Sequence, residues 1–243
     1  MKKLSMLAVS AAVLLAASPA FADEKVVTDE GVATFSFFKP ASVRAEVGTT
    51  GYGGAISYNV NPYVGLTLGY NGGDISWSDD VKVDGTTYDL DMDNNNVYLN
   101  AEIRPWANWF YMAAGTAYLD NDYDLQKRIG AGETLSIDGN NYQLAVAGQE
   151  GGARGTMKYK NNIAPYLGLG FSPSITDRFG VFGEVGAYYV GNPEVQLTQY
   201  NLAQVNGNTV PPQAAINKQA NDIRNDDKYK WLPVAKLGLS LRF

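Results

Sequence analysis

The sequence predicts an all-β fold: an eight-stranded antiparallel up-and-down transmembrane β-barrel with long extracellular loops. Three observations carry that prediction. Apolar and polar residues alternate with period two through most of the chain, no sustained 3.6-residue periodicity replaces them, and the connections between alternating runs are short and long by turns. Composition narrows the chemistry. Among 243 residues, 26 are glycine and 16 tyrosine, histidine and cysteine are absent, and the formal net charge is −6. Without imidazole or thiol the chain cannot build a Ser-His-Asp or Cys-His pair or the usual zinc site, so neither an enzyme nor a cofactor or metal is expected. The acidic balance argues against a nucleic-acid partner, because such binding draws its affinity from Lys and Arg neutralising phosphates.

At the start, Lys2 and Lys3 precede an apolar run from Leu4 to Ala17 and the small residues of Ala20-Phe21-Ala22. This is the form of a secretory signal peptide over 1–22, cut after Ala22, and the run is too short and too broken for a transmembrane helix. Removing it takes away two of 19 basic side chains and none of the 25 acidic ones. Residues 23–40 are then expected as a periplasmic N-terminal segment and 41–243 as the outer-membrane barrel.

The strands follow in order. In 41–48, Val43, Ala45 and Val47 alternate with Arg44 and Glu46; in 51–60, Tyr52, Ile56, Tyr58 and Val60 alternate with glycine, alanine, serine and asparagine. Strands over 63–76 and 88–104 set Leu66, Leu68, Tyr70, Val97, Leu99 and Ile103 against Thr67, Asn100, Glu102 and Arg104. Parity slips at Gly72-Gly73 and at Asn94–Asn96, which reads as bulges. The segment 109–122 leaves two parities open, with either Phe110, Met112, Ala114 and Tyr118 outward or Tyr111, Ala113, Ala117 and Leu119. Strands over 157–171, 178–192 and 229–243 complete the set, the last with Leu237, Leu239, Leu241 and Phe243 on one face and Lys236, Ser240 and Arg242 on the other.

A soluble barrel turns its apolar face inward, and a membrane barrel turns it toward lipid. Arg44, Glu46, Glu102, Arg104, Glu184, Lys236 and Arg242 all share the face that carries the glycines, so that face is a polar lumen. Tyr63, Trp77, Trp106, Trp109, Phe110, Phe171, Phe179 and Trp231 lie near strand ends, as interfacial girdles do. Short turns at 61–63, 105–108 and 172–178 belong to the periplasmic side, and 77–88, 123–156 and 193–228 to the outside. The segment 204–228 reads as a mobile loop with a short helix around Ala214 to Arg224. The expected surroundings are outer-membrane lipids and lipopolysaccharide, with barrel assembly machinery reading the terminal Phe243, and the expected state is a monomer.

Several segments closely resemble the CarO family of carbapenem-associated outer-membrane proteins. They are the runs from Arg44 to Gly54, Asn61 to Leu66, Leu68 to Asp80, Tyr88 to Trp106, Tyr118 to Leu125, Val181 to Tyr189 and Lys230 to Val234; the likeness fades at 129–156, at 193–228 and in the last strand. The resemblance implies a small outer-membrane channel linked to uptake of basic amino acids such as ornithine and to carbapenem susceptibility.

Eight strands enclose a lumen that side chains fill, which excludes a wide diffusion pore. Glu184 and Lys236 fall at similar depth on adjacent strands and Glu46 beside them, predicting a Glu46–Lys236–Glu184 cluster with Arg44, Glu102, Arg104 and Arg242 nearer the periplasm. Such buried charges must be paired, and the preferred reading is a structural plug; the functional one is a path on which a charged solute exchanges with the pairs. Asp89, Asp91 and Asp93 alternate on one strand and Asp120, Asp122 and Asp124 on the next, an extracellular acidic rim that would gather small cationic or zwitterionic solutes or merely solvate the surface. Asp74, Asp79, Asp80 and Asp84 would add to its field. The alternative function is a structural or adhesive barrel of the Ail/OmpX kind with an occluded lumen.

Overall fold

The structure, a computed structural model, describes residues 38–83, 86–205 and 207–243, with only the backbone of 75–83 and 86–88. The signal peptide over 1–22, nearly all of the 23–40 segment, Asp84 and the side chains of Trp77, Asp79 and Asp80 lie outside the described residues.

In chain order the strands are β1 (Ala41–Gly48), β2 (Gly51–Asn61), β3 (Val64–Val83), β4 (Thr86–Ile103) and β5 (Phe110–Leu119). An insertion follows with β6 (Asp122–Ile129), β7 (Leu135–Ile137), β8 (Asn140–Leu144) and β9 (Gly151–Tyr159). The chain returns through β10 (Ile163–Phe171) and β11 (Phe179–Tyr189), makes a second insertion of β12 (Pro193–Tyr200), β13 (Leu202–Gln204) and helix α1 (Pro212–Asn225), and ends in β14 (Trp231–Arg242).

Strands β1, β2, β3, β4, β5, β10, β11 and β14 form a ring of eight, each antiparallel to its neighbours and closed by β1 against β14 with Arg44 opposite Ser240. The strand expected over 157–171 is in fact two: β10 in the ring and β9 outside it. Short connections stay short because side chains close them. Asn61 Oδ1 accepts from the amides of Tyr63 and Val64 at 2.8 and 2.9 Å, and Thr176 Oγ1 accepts from Phe179 N at 2.9 Å. The outward face carries Ile56, Leu66, Leu68, Leu99, Leu167, Val185, Leu237 and Leu239, all exposed. The ambiguity in 109–122 resolves with Met112 and Tyr118 outward and Tyr111, Ala113, Ala117 and Leu119 buried inside.

No register shift occurs at Gly72-Gly73 or Asn94–Asn96; the β3–β4 pairing runs unbroken from Val64 to Trp77, and its irregularity lies between Trp77 and Val81. What changes at Asn94–Asn96 is the polarity of each face. Below that level odd positions of β4 are apolar (Val97, Leu99, Ile103) and even ones polar (Asn96, Asn100, Glu102); above it odd positions are Asp89, Asp91 and Asp93, while Leu90 and Met92 turn inward to pack. The same face that meets hydrocarbon lower down meets water higher up, so this level marks the edge of the membrane. A lysine at Leu99 should therefore cost about 2–4 kcal/mol of barrel stability and one at Asn95 about 0–1 kcal/mol, measured by urea unfolding in lipid vesicles.

Above that level the long connections are folded. Upper β4 pairs with β6, β6 with β9 and β9 with β12, continuing the sheet beyond the ring, and β13, β8 and β7 form a small second sheet. Leu125, Ile137, Tyr142, Ala153, Val195, Ile216 and Ile223 are buried in the core between these sheets and α1. The helix starts at Pro212, two residues before the expected Ala214, on a proline suited to a first turn. Its side chains also cover the free edge of β12. Gln213 donates to Leu197 O and accepts from Gln199 N, both at 3.2 Å, and Arg224 donates to Val195 O at 2.5 Å. Exposed strand edges invite pairing with other chains, and this one is blocked. The mobile loop expected over 204–228 is thus largely a structural element of a folded cap.

Candidate functional site: the charged lumen

Inside the ring, small residues on one strand make room for large ones on the next. A side-chain carbon at Gly69 would stand 2.3 Å from the Tyr98 ring, and one at Gly170 the same distance from the Tyr111 ring. These two close approaches require glycine, and they let tyrosines reach across the lumen with their hydroxyls.

The tyrosines belong to an upper layer. Lys236 Nζ lies 3.1 Å from Glu184 and 3.9 Å from Glu46, and 4.1 Å above the Tyr98 ring. Tyr98 donates to both oxygens of Glu46, at 2.9 and 2.8 Å, and Asn71 adds a bond at 3.1 Å. Tyr111 and Tyr166 each donate to Glu184 at 2.8 Å. Each carboxylate therefore keeps two neutral donors besides the lysine, which offsets much of the cost of desolvating it.

The lower layer is built around one carboxylate. Arg44 grips Glu102 with both terminal nitrogens, at 2.5 and 3.0 Å, Arg104 donates to it at 2.7 Å, and Thr67 Oγ1 donates at 2.7 Å. Arg44 and Arg104 also stack over the rings of Phe182 and Tyr111. Arg242 donates to Ser174 Oγ near the periplasmic turn. Alternation in the sequence marks the seven charged residues. It does not by itself mark their partners Tyr98, Tyr111, Tyr166, Asn71 and Thr67, although Tyr98 and Tyr166 carry the parity of Glu102 and Gly168.

Leu119, Tyr188, Val190 and Val234 are buried at the outer end of this inner face. Tyr159 packs against both this group and the cap core, and its hydroxyl donates to Tyr229 O at 2.9 Å. These side chains form an apolar layer between the charged lumen and the cap.

Of the six rim aspartates, Asp91, Asp93, Asp122 and Asp124 lie together, facing outward and not into the mouth, while Asp89 stands opposite Gln126. Asp91 stands opposite Asp124 and Asp93 opposite Asp122 across β4 and β6, and Asp74 stands opposite Asp93. Asp120 follows in the turn, where its amide donates to Asn95 O at 3.0 Å. Like charges in direct opposition repel. Lys158 relieves part of this at 2.7 Å from Asp122, and that hydrogen bond, with the charges of Asp120 and Asp124, raises the lysine's pKa above its ordinary value. Next to them a shallow groove of about 520 Å³ runs over the polar face of the sheet, between Asp91, Asp124, Arg154 and Thr198. Among the described residues no group of acidic side chains is arranged to hold a metal ion.

No protein-family model matches the chain, and no curated protein matches it. Solved structures do. The crystal structure of Acinetobacter baumannii CarO is 55% identical and superposes with a TM-score of 0.70, covering 84% of this chain and 98% of that one. That of Acinetobacter baumannii CarO2 is 53% identical, with a TM-score of 0.71 and the same coverage. A ring of strands with an apolar outer band, a charged inner face and this degree of identity make the chain a multi-pass outer-membrane protein and a member of the CarO family.

Proposed function

We propose that this barrel is a small outer-membrane channel for basic or zwitterionic solutes, which pass by exchanging their charges with the lumen's ion pairs. The observation that carries this reading is the layered charge of the inner face. Buried ion pairs are commonly no more stabilising than apolar side chains of the same volume, so a barrel needing only to stay closed has little use for seven charged residues. The upper layer, two carboxylates and one lysine, suits an ammonium group. Ornithine and carbapenems, the solutes implied by the family resemblance, are candidates.

In liposomes, ornithine and lysine should enter faster than glutamate, and Glu184→Gln should narrow that difference. Rates equal to those of protein-free liposomes for every solute, a carbapenem included, would defeat the proposal. The apolar layer under a folded cap favours a second reading, an occluded barrel whose outer sheet binds ligands at the cell surface. Adhesion of intact cells to matrix proteins, lost when 123–156 or 193–228 is shortened, would support that one.

A further inference from the structure

The lower lumen layer holds more positive charge than its own carboxylate can balance. Arg44, Arg104 and Arg242 face it, and among the described residues Glu102 is the acidic side chain beside them. Arg44 and Arg242 are diagonal neighbours on paired strands, since Arg44 stands opposite Ser240 and Ser42 opposite Arg242. Arg104 is 2% exposed, and Arg44 and Arg242 are each 9% exposed. Glu102 is already committed to four donors from Arg44, Arg104 and Thr67. Arg242 reaches Ser174 and no carboxylate among the described residues.

The same place contains buried donors without partners. Among the described residues, Arg44 Nε, Arg104 Nε and Ser240 Oγ are buried and make no hydrogen bond. A buried donor left unmatched costs about 1–3 kcal/mol, and more when it is charged. Surplus positive charge and orphaned donors at one level therefore call for the same thing, an anion with acceptor oxygens. Guanidinium forks favour planar oxyanions, above all carboxylates.

We propose that Arg44, Arg104, Arg242 and Ser240 form a binding site for the carboxylate of a small solute at the periplasmic end of the lumen. The site does not depend on the solute crossing the barrel, so it stands or falls separately from channel function. A free amino acid would use it through its α-carboxylate, and a simple carboxylic acid would use it equally.

The test is binding, with ¹³C-formate as the probe and purified full-length protein in detergent micelles at constant ionic strength in chloride. Wild-type protein should broaden the formate resonance saturably, glycine should compete, and glycinamide should not. Arg242→Gln should weaken formate binding about tenfold or more, Arg242→Lys should retain part of it, and Lys160→Gln, on the exposed outer turn, should leave it unchanged. Folding of each variant is checked by heat-modifiable mobility on gels. Absence of saturable broadening, or equal affinity in a folded Arg242→Gln, would overturn the proposal.

Discussion

Replacing Glu102 by glutamine should destabilise the barrel by about 3–5 kcal/mol, the cost of leaving buried charge without its partner. The glutamine has nearly the same shape, so the change is electrostatic. It removes the one negative charge that Arg44 and Arg104 share, and it points an amide donor at groups that are already donors. The loss should appear as a lower urea midpoint for unfolding in vesicles and as less of the compact band on unheated gels. A loss below about 1 kcal/mol would mean that solvent screens the guanidiniums as it does at a surface. A second change separates these cases: Glu102→Gln with Arg44→Met, which removes one stranded charge, should recover part of the stability.

The next largest effect belongs to Lys236. Lys236→Met should also weaken the barrel, by an amount in the lower part of the same range of about 3–5 kcal/mol. Glu46 and Glu184 would then confront each other without a cation between them, but they keep the hydroxyls of Tyr98, Tyr111 and Tyr166 and the amide of Asn71. Adding Glu184→Gln should restore stability relative to Lys236→Met, because only one carboxylate then lacks a counter-charge. Unfolding of the single and double variants in a mutant cycle gives the coupling directly. Independent, additive losses would show that the upper layer is not a unit.

Both layers could be located from sequence to the extent that strands alternate strictly. Counting residues from Phe243 and from the turns at 61–63 and 172–178 puts Glu46, Glu184 and Lys236 at similar depth, since every step along a strand fixes a height and a face. The gripping of Glu102 by Arg44 was not legible in the same way. Those residues lie 58 positions apart and meet across the lumen, not along neighbouring strands. The cap was hidden for another reason. Its strands do alternate, with Tyr123 and Leu125 against Asp122 and Asp124 and with Val195 and Leu197 against Glu194 and Gln196. Their apolar parity, however, points to the side that is polar in the barrel. Followed along β4, that reversal imitates a register slip, and it made ordered strands look like bulges and loops.

The cap core draws on β6, β9, β12 and α1, with Leu90 and Met92 of upper β4 packed against it, so the connections 123–156 and 193–228 both contribute to it. It cannot close until both have crossed the membrane. Once it has closed, retreat of either would require the cap to unfold. Closure of the cap would thereby act as a latch on the inserted barrel.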